Sequence, residues 1–237
     1  MWRAAILTAA LGLCGAAALA EAQITSARFD GPTTRYAHGV LGDSVEYGQL
    51  VLEVRDGGKR QTVTITLPQD HVFEDLQPRL ADVTGDGLPE VVVIETDARQ
   101  GAALAIYGPK GKLAETPHIG TSNRWLAPIG VADLDGDGAV ELAYIDRPHL
   151  AKTLRVWRYE NGSLRQIANA KGLTNHKIGW DYIAGGIRGC GEDLELVTAN
   201  AGWTRIVATR LQAGQLISRD LGAYSGPDSL NRAAECR

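Results

Sequence analysis

Nine residues, Asp133-Leu134-Asp135-Gly136-Asp137-Gly138-Ala139-Val140-Glu141, constrain this chain more than any others. Carboxylates stand at positions 1, 3, 5 and 9 of the stretch, and Gly136 and Gly138 permit a tight turn. A curling loop aims every second side chain at one point. Here that gathers hard oxygen donors, the ligand type of Ca²⁺. Ala139 would add its backbone carbonyl and Glu141 would close the shell. An EF-hand puts its bidentate Glu at position 12, where this chain has Tyr144. The flanking runs, 129–132 and 140–145, are apolar and strand-like, so the loop is expected between two strands rather than two helices.

The pattern recurs fifty-one residues earlier as Asp82-Val83-Thr84-Gly85-Asp86-Gly87-Leu88-Pro89-Glu90. Thr84 replaces one carboxylate, Leu88 takes the carbonyl position and Pro89 stiffens the exit. A plain pair of Asp/Gly-rich turns without metal is the alternative reading. Recurrence near fifty residues points to a repeat architecture.

The first 22 residues read as a signal peptide. Arg3 supplies the positive start, and 4–18 are apolar but too short to span a bilayer. Cleavage is expected before Gln23, and Leu13 argues against lipid attachment at Cys14. The mature chain of about 215 residues suffices for one substantial core and has no apolar transmembrane run. Its localisation is expected to be periplasmic or secreted. A net charge of −4 without basic blocks argues against nucleic acid. Two cysteines remain after cleavage, Cys190 and Cys236, and an oxidising compartment makes them one disulfide; two free buried thiols are the alternative. No Cys/His cluster has zinc spacing.

Short β-rich segments separated by Gly, Pro, Asn and Asp make the chain all-β. The best repeat supplies strands at 128–133, 141–145, 153–159 and 163–167, with Asn161-Gly162 as a hairpin turn. The preceding copy fits the same frame at 79–82, 90–94, 102–107 and 113–119. Aligning Trp180 on Trp125 exposes a diverged copy, with Arg188 opposite Asp133, Cys190 in place of a carboxylate and Glu195 retained. Its other strands fall at 194–198, 204–210 and 215–219, and its cysteine would tie down the C-terminal tail. An opening copy has strands at 27–30, 36–41, 49–54 and 61–67. Four such units fit a small β-propeller of about four four-stranded blades, at about 24–68, 76–120, 127–170 and 180–221, followed by a tail over 222–237. The calcium loops fall in the two middle blades, and five blades is the competing count.

Asp-x-Asp-Gly-Asp-Gly-x-x-Glu, preceded by Gly-Val-Ala and followed by an apolar strand, resembles the FG-GAP/VCBS repeat family, which includes the integrin α propeller. Residues 80–87 and 131–138 carry the resemblance. It implies Ca²⁺ held between the first two strands of a blade. By motif position the ligands would be Asp133, Asp135, Asp137, Ala139 and Glu141, and likewise Asp82, Thr84, Asp86, Leu88 and Glu90. The family fixes no single function.

A second set is polar and aromatic. Asn123, Arg124 and Trp125 lead into one blade, and Asn175, His176, Lys177, Trp180 and Asp181 lead into the next, so both segments should lie near one face. Arg35, Tyr36, His38 and Trp203 are candidates to join them. Such residues suit a sugar or a peptide; packing of the tryptophans between blades is the competing role. The five histidines read as surface or capping residues. No nucleophile elbow, zincin motif or phosphate loop is present. The leading reading is a calcium-stabilised, monomeric, non-catalytic module that binds a protein or glycan partner outside the cytoplasm. A polysaccharide-acting hydrolase or lyase and a structural envelope subunit are the alternatives.

Overall fold

A computed structural model describes residues 22–191 and 193–237. The expected signal peptide, up to residue 21, lies outside the described residues, as does Cys14.

The strands are β1 (Gln23–Thr33), β2 (Glu46–Asp56), β3 (Lys59–Thr66), β4 (His71–Phe73), β5 (Arg79–Ala81), β6 (Glu90–Asp97), β7 (Gly101–Gly108) and β8 (Gly111–Glu115). They continue with β9 (Leu126–Ala132), β10 (Glu141–Asp146), β11 (Thr153–Glu160), β12 (Ser163–Lys171), β13 (Leu173–Thr174) and β14 (Gly186–Arg188). Last come β15 (Glu195–Asn200), β16 (Arg205–Gln212), β17 (Gln215–Ala223) and one helix, α1 (Pro227–Ala234). All pairing is antiparallel. No described helix is long and apolar enough to cross a membrane.

The repeat shows in the register. Ala81 pairs with Glu90, Ala132 with Glu141 and Arg188 with Glu195, so one hairpin is built three times with a glutamate opening its second strand. Around it, β9 to β12 form one four-stranded sheet, and β13 to β17 form a five-stranded one. The opening copies differ from expectation. β1 to β8 belong to a single eight-stranded sheet, because the unforeseen strand β4 pairs with both β2 and β6. The four expected blades therefore appear as three hydrogen-bonded sheets. The strand expected at 36–41 is instead a loop, with Gly39 and Gly42 in the left-handed region. The tail contains α1, which no sequence pattern announced.

β6 and β7 are buried along their whole length, which explains their nearly continuous apolar sequence: both faces are covered. Val91, Val93, Ala105 and Tyr107 pack toward β2. The alternate residues Val92, Ile94, Leu104 and Ile106 pack into the core shared with the next two sheets. Each large aliphatic side chain buried this way contributes about 1.5–3 kcal/mol. β15 repeats the device, with Leu196 facing the shared core and Val197 facing α1 through Leu230 and Ala233. The loop after β1 reaches the last sheet's leading segment, where Gly42 is so close that an added Cβ would lie 3.2 Å from the Gly179 carbonyl oxygen.

Candidate functional site

The two acidic turns are built on the same contacts. Asp133 accepts backbone N–H bonds from Gly136 (2.8 Å), Asp137 (3.1 Å) and Gly138 (2.9 Å). Asp82 does the same for Gly85 (2.8 Å), Asp86 (3.1 Å) and Gly87 (2.8 Å). Asp137 receives the Ala139 N–H and Asp86 the Leu88 N–H. The buried Glu141 and Glu90 accept N–H bonds from Leu134 and Val83. All-oxygen donor sets of this kind fit a hard cation. In the second turn, oxygens of Asp133, Asp135 and Glu141 come within 4.8 Å of one another.

The turns differ in one neighbour. Arg158, opposite Glu141 on β11, donates through Nε to Glu141 at 2.6 Å and through Nη1 to Asp137 at 2.8 Å, and lies 3.3 Å from Asp135. Among the described residues no cation forms an ion pair with the first turn: the β6–β7 register, continued from Val91 beside Tyr107, puts Gly108 at the position that Arg158 holds in the second. Burial raises the Glu141 carboxyl pKa, and Arg158 works against that rise. Burial also raises that of Glu90, where Asp86 and Asp82 push further upward and only backbone N–H groups oppose them. In the diverged third turn, Arg188 pairs with Glu195 at 2.7 Å, joined by Arg219. Arg188 also donates to the Ala233 carbonyl of α1, and Cys190 is disulfide-bonded to Cys236.

The polar and aromatic set divides in two. Asn123, Arg124 and Trp125 line a cavity of about 290 Å³ together with His38, His149 and Ile178. Its walls come from the loop after β1, the segment before β9, the β10–β11 turn and the segment before β14. Gly101 fixes one wall. Its φ is +76°, and an added Cβ would sit 2.4 Å from the Thr121 carbonyl oxygen, so only glycine lets 121–125 lie this close. Asn123 and Arg147, both at the cavity, have φ of 52° and 45°, a region non-glycine residues enter at a cost.

Two histidines at the cavity are held from behind. His38 Nδ1 donates to the buried Glu74 carboxylate at 2.5 Å, and Thr96 donates to the other Glu74 oxygen at 2.7 Å. His176 donates from Nε2 to the Trp180 carbonyl at 3.0 Å, so its Nδ1 accepts from His149 Nε2, also at 3.0 Å. Burial lowers the pKa of both members of this pair. That of His149 falls to about 4, with the neighbouring His176, His38 and Lys152 adding to the effect. Two of the five histidines are thus not the surface or capping residues the sequence suggested: His176 is fully buried and His38 is braced by a carboxylate.

Trp125 is only 2 % exposed; its Nε1 donates to the Glu74 carbonyl at 2.7 Å and its ring lies edge-on to His176. It forms a wall rather than an open stacking platform. Trp180 lies elsewhere, stacked on Tyr182 and edge-on to Trp203, with the Lys177 ammonium 4.7 Å from the Trp203 ring centre. Asp181 is exposed beside that cluster, and Tyr36 reaches back to accept the Asn123 N–H. Sequence reasoning missed Arg147, His149, Leu150 and Ile178, which belong to no repeated motif; the exposure of Leu150 and Ile178 shows only in the structure.

Residues 82–144, the stretch containing both acidic turns, match the FG-GAP-like repeat family. No curated protein matches the chain. Among solved structures it is similar to the exotype rhamnogalacturonan lyase YesX, at 17% identity with a TM-score of 0.44, over 72% of this chain and 40% of that one. It is also similar to the rhamnogalacturonan lyase YesW, at 15% identity with a TM-score of 0.43, over 77% of this chain and 44% of that one. The chain thus spans less than half the length of either.

Proposed function

We propose that this chain is an exported, non-catalytic FG-GAP-type binding module, periplasmic or secreted, monomeric and stabilised by Ca²⁺. Its sheets act as propeller-like blades. The cavity between their connecting segments is the seat for a protein or glycan partner. One observation carries this reading: four separate segments converge on one cavity, with backbone strain at two of its residues and buried partners behind two of its histidines. Strain of this kind clusters at functional sites.

In this reading the two acidic turns play unequal parts. Asp82, Thr84, Asp86 and Glu90, with the Leu88 carbonyl, would hold Ca²⁺ in the first turn. Asp133, Asp135, Asp137, Glu141 and the Ala139 carbonyl form the second set, where the Arg158 guanidinium already supplies positive charge. The ion's contribution is rigidity, since a ligand bound only by the folded state stabilises it.

The test screens envelope proteins and glycans for binding, with Leu150→Asp/Ile178→Asp as the control. Both residues are exposed, so the double variant keeps its fold. Loss of binding in this variant is expected; undiminished binding would remove the cavity from the site. A melting temperature unmoved by EDTA would remove the ion.

A further inference from the structure

Resting on the cavity as the binding seat, the charges around it narrow what it can take. Its walls are mostly apolar, and Leu150 and Ile178 stand 63% and 73% exposed at its mouth. Such exposure of large aliphatic side chains at one opening is a contact surface waiting for an apolar body. The titratable groups around it are unevenly matched. Glu74 is committed to His38 and Thr96. Asp146 is committed to Arg147 and Arg155. His149 and His176 satisfy each other and the Trp180 carbonyl.

Arg124 is the exception. Its guanidinium makes one hydrogen bond, to the Asn123 carbonyl at 2.8 Å, and no carboxylate lies within ion-pair reach of it among the described residues. A guanidinium is a planar fork suited to bidentate contact with a carboxylate. Lys152, the nearby cation that helps hold His149 neutral, spends its ammonium on the Ala201 carbonyl. The cavity therefore has one uncommitted positive group at an apolar opening.

We infer that the cavity binds a carboxylate carried on a compact apolar group, with the anion on Arg124 and the apolar body against Leu150 and Ile178. A free organic acid and the C-terminal residue of a polypeptide share this chemistry. A volume of about 290 Å³ admits a ring or a branched aliphatic group, at the lower end of small-ligand sites.

Calorimetric titration of the full chain with phenylacetate, its neutral isostere phenylacetamide and phenethylammonium tests this. Phenylacetate is expected to bind at least about tenfold tighter than either other probe, and to weaken as salt is raised. Arg124→Gln, on a partly exposed side chain, should bring phenylacetate down to the affinity of the amide while leaving the amide unchanged. Ile178→Ser should weaken both. A peptide ending in phenylalanine, compared with its C-terminal amide, shows whether a chain terminus is accepted as well as a free acid. If the amide or ammonium binds as well as the acid, or Arg124→Gln changes nothing, the carboxylate assignment falls and the cavity reading stands. If no probe binds at about 10 mM, an affinity weaker than ~3 kcal/mol, the carboxylate assignment falls, and the binding screen with Leu150→Asp/Ile178→Asp decides the cavity reading separately.

Discussion

The two acidic turns share their backbone contacts, from the three N–H groups gathered on Asp82 or Asp133 to the N–H held by Glu90 or Glu141. Besides Thr84 in place of Asp135, which also gives Glu90 a second backbone N–H, what separates them is a residue on the neighbouring strand: Arg158 beside the second turn, and Gly108 where the register continues beside the first. A carboxylate cluster must be neutralised, and a folded chain can do so with an external ion or with its own guanidinium. Counting acids in the sequence ranks the second turn as the stronger metal loop. In the proposed reading the environment reverses that ranking, because the turn with more negative charge is also the one with a cation beside it. The third turn extends the series: Arg188 and Arg219 serve Glu195 there, and the acidic loop has gone.

The largest effect that would break this comparison is expected from Arg158→Ala. Removing the arginine leaves a buried Glu141 beside two aspartates. In EDTA the variant should melt about 8 °C below the parent, roughly 3 kcal/mol for a domain of this size, and Ca²⁺ should restore most of the loss. Differential scanning calorimetry with and without the ion checks it; an unchanged melt would mean that Arg158 neutralises nothing.

A pH series sharpens the contrast. The folded-state pKa of Glu90 is raised above its ordinary 4.5, so its contribution is fully present below that value and is lost as pH rises through the folded pKa. In EDTA, Glu90→Gln should therefore raise the melting temperature at pH 8 and hardly at all at pH 4, as a calorimetric pH series would show. Glu141→Gln should give no such gain, since the same substitution takes a partner from Arg158. Equal gains from both would erase the distinction.

The smallest effect comes from moving the arginine. Gly108→Arg places a guanidinium beside the first turn, and its Cβ would meet only the Leu113 side chain, at 3.2 Å. The variant should lose about 2 °C less on EDTA treatment than the parent, consistent with a partly exposed ion pair.

Much of this was legible in the sequence, and the rest was not for identifiable reasons. The hairpins around both turns could be read because apolar strands, glycines and spaced carboxylates agree at every level. Aligning Trp180 on Trp125 found the third hairpin but set Arg188 opposite Asp133, one residue off, since the register puts Arg188 where Ala81 and Ala132 stand; the pairing of Cys190 with Cys236 followed from Cys14 falling in the expected signal peptide, which leaves two cysteines. β4 escaped notice because three residues, His71 to Phe73, leave no periodicity to detect. The loop over 36–41 alternates like a strand, but Tyr36 and Val40 point inward for tertiary reasons. Arg158 was visible only as one more charge on a β-strand, because its meaning depends on cross-strand register. The cavity was half legible: the leading segments could be placed on a common face, whereas His149 and Ile178 arrive from turns with no motif.

The terminal helix has a consequence for how the protein meets its own copies. Leu230 and Ala233 occupy the flank of the last sheet on which another blade would otherwise stack, and Cys236 is fastened to Cys190 beneath them. That fastening closes a span of 46 residues, worth about 4 kcal/mol in chain-entropy terms. Reduction of that bond is expected to loosen α1 and expose Leu230 and Ala233. A reduced chain is then expected to self-associate through that face, which sedimentation with and without reductant would show.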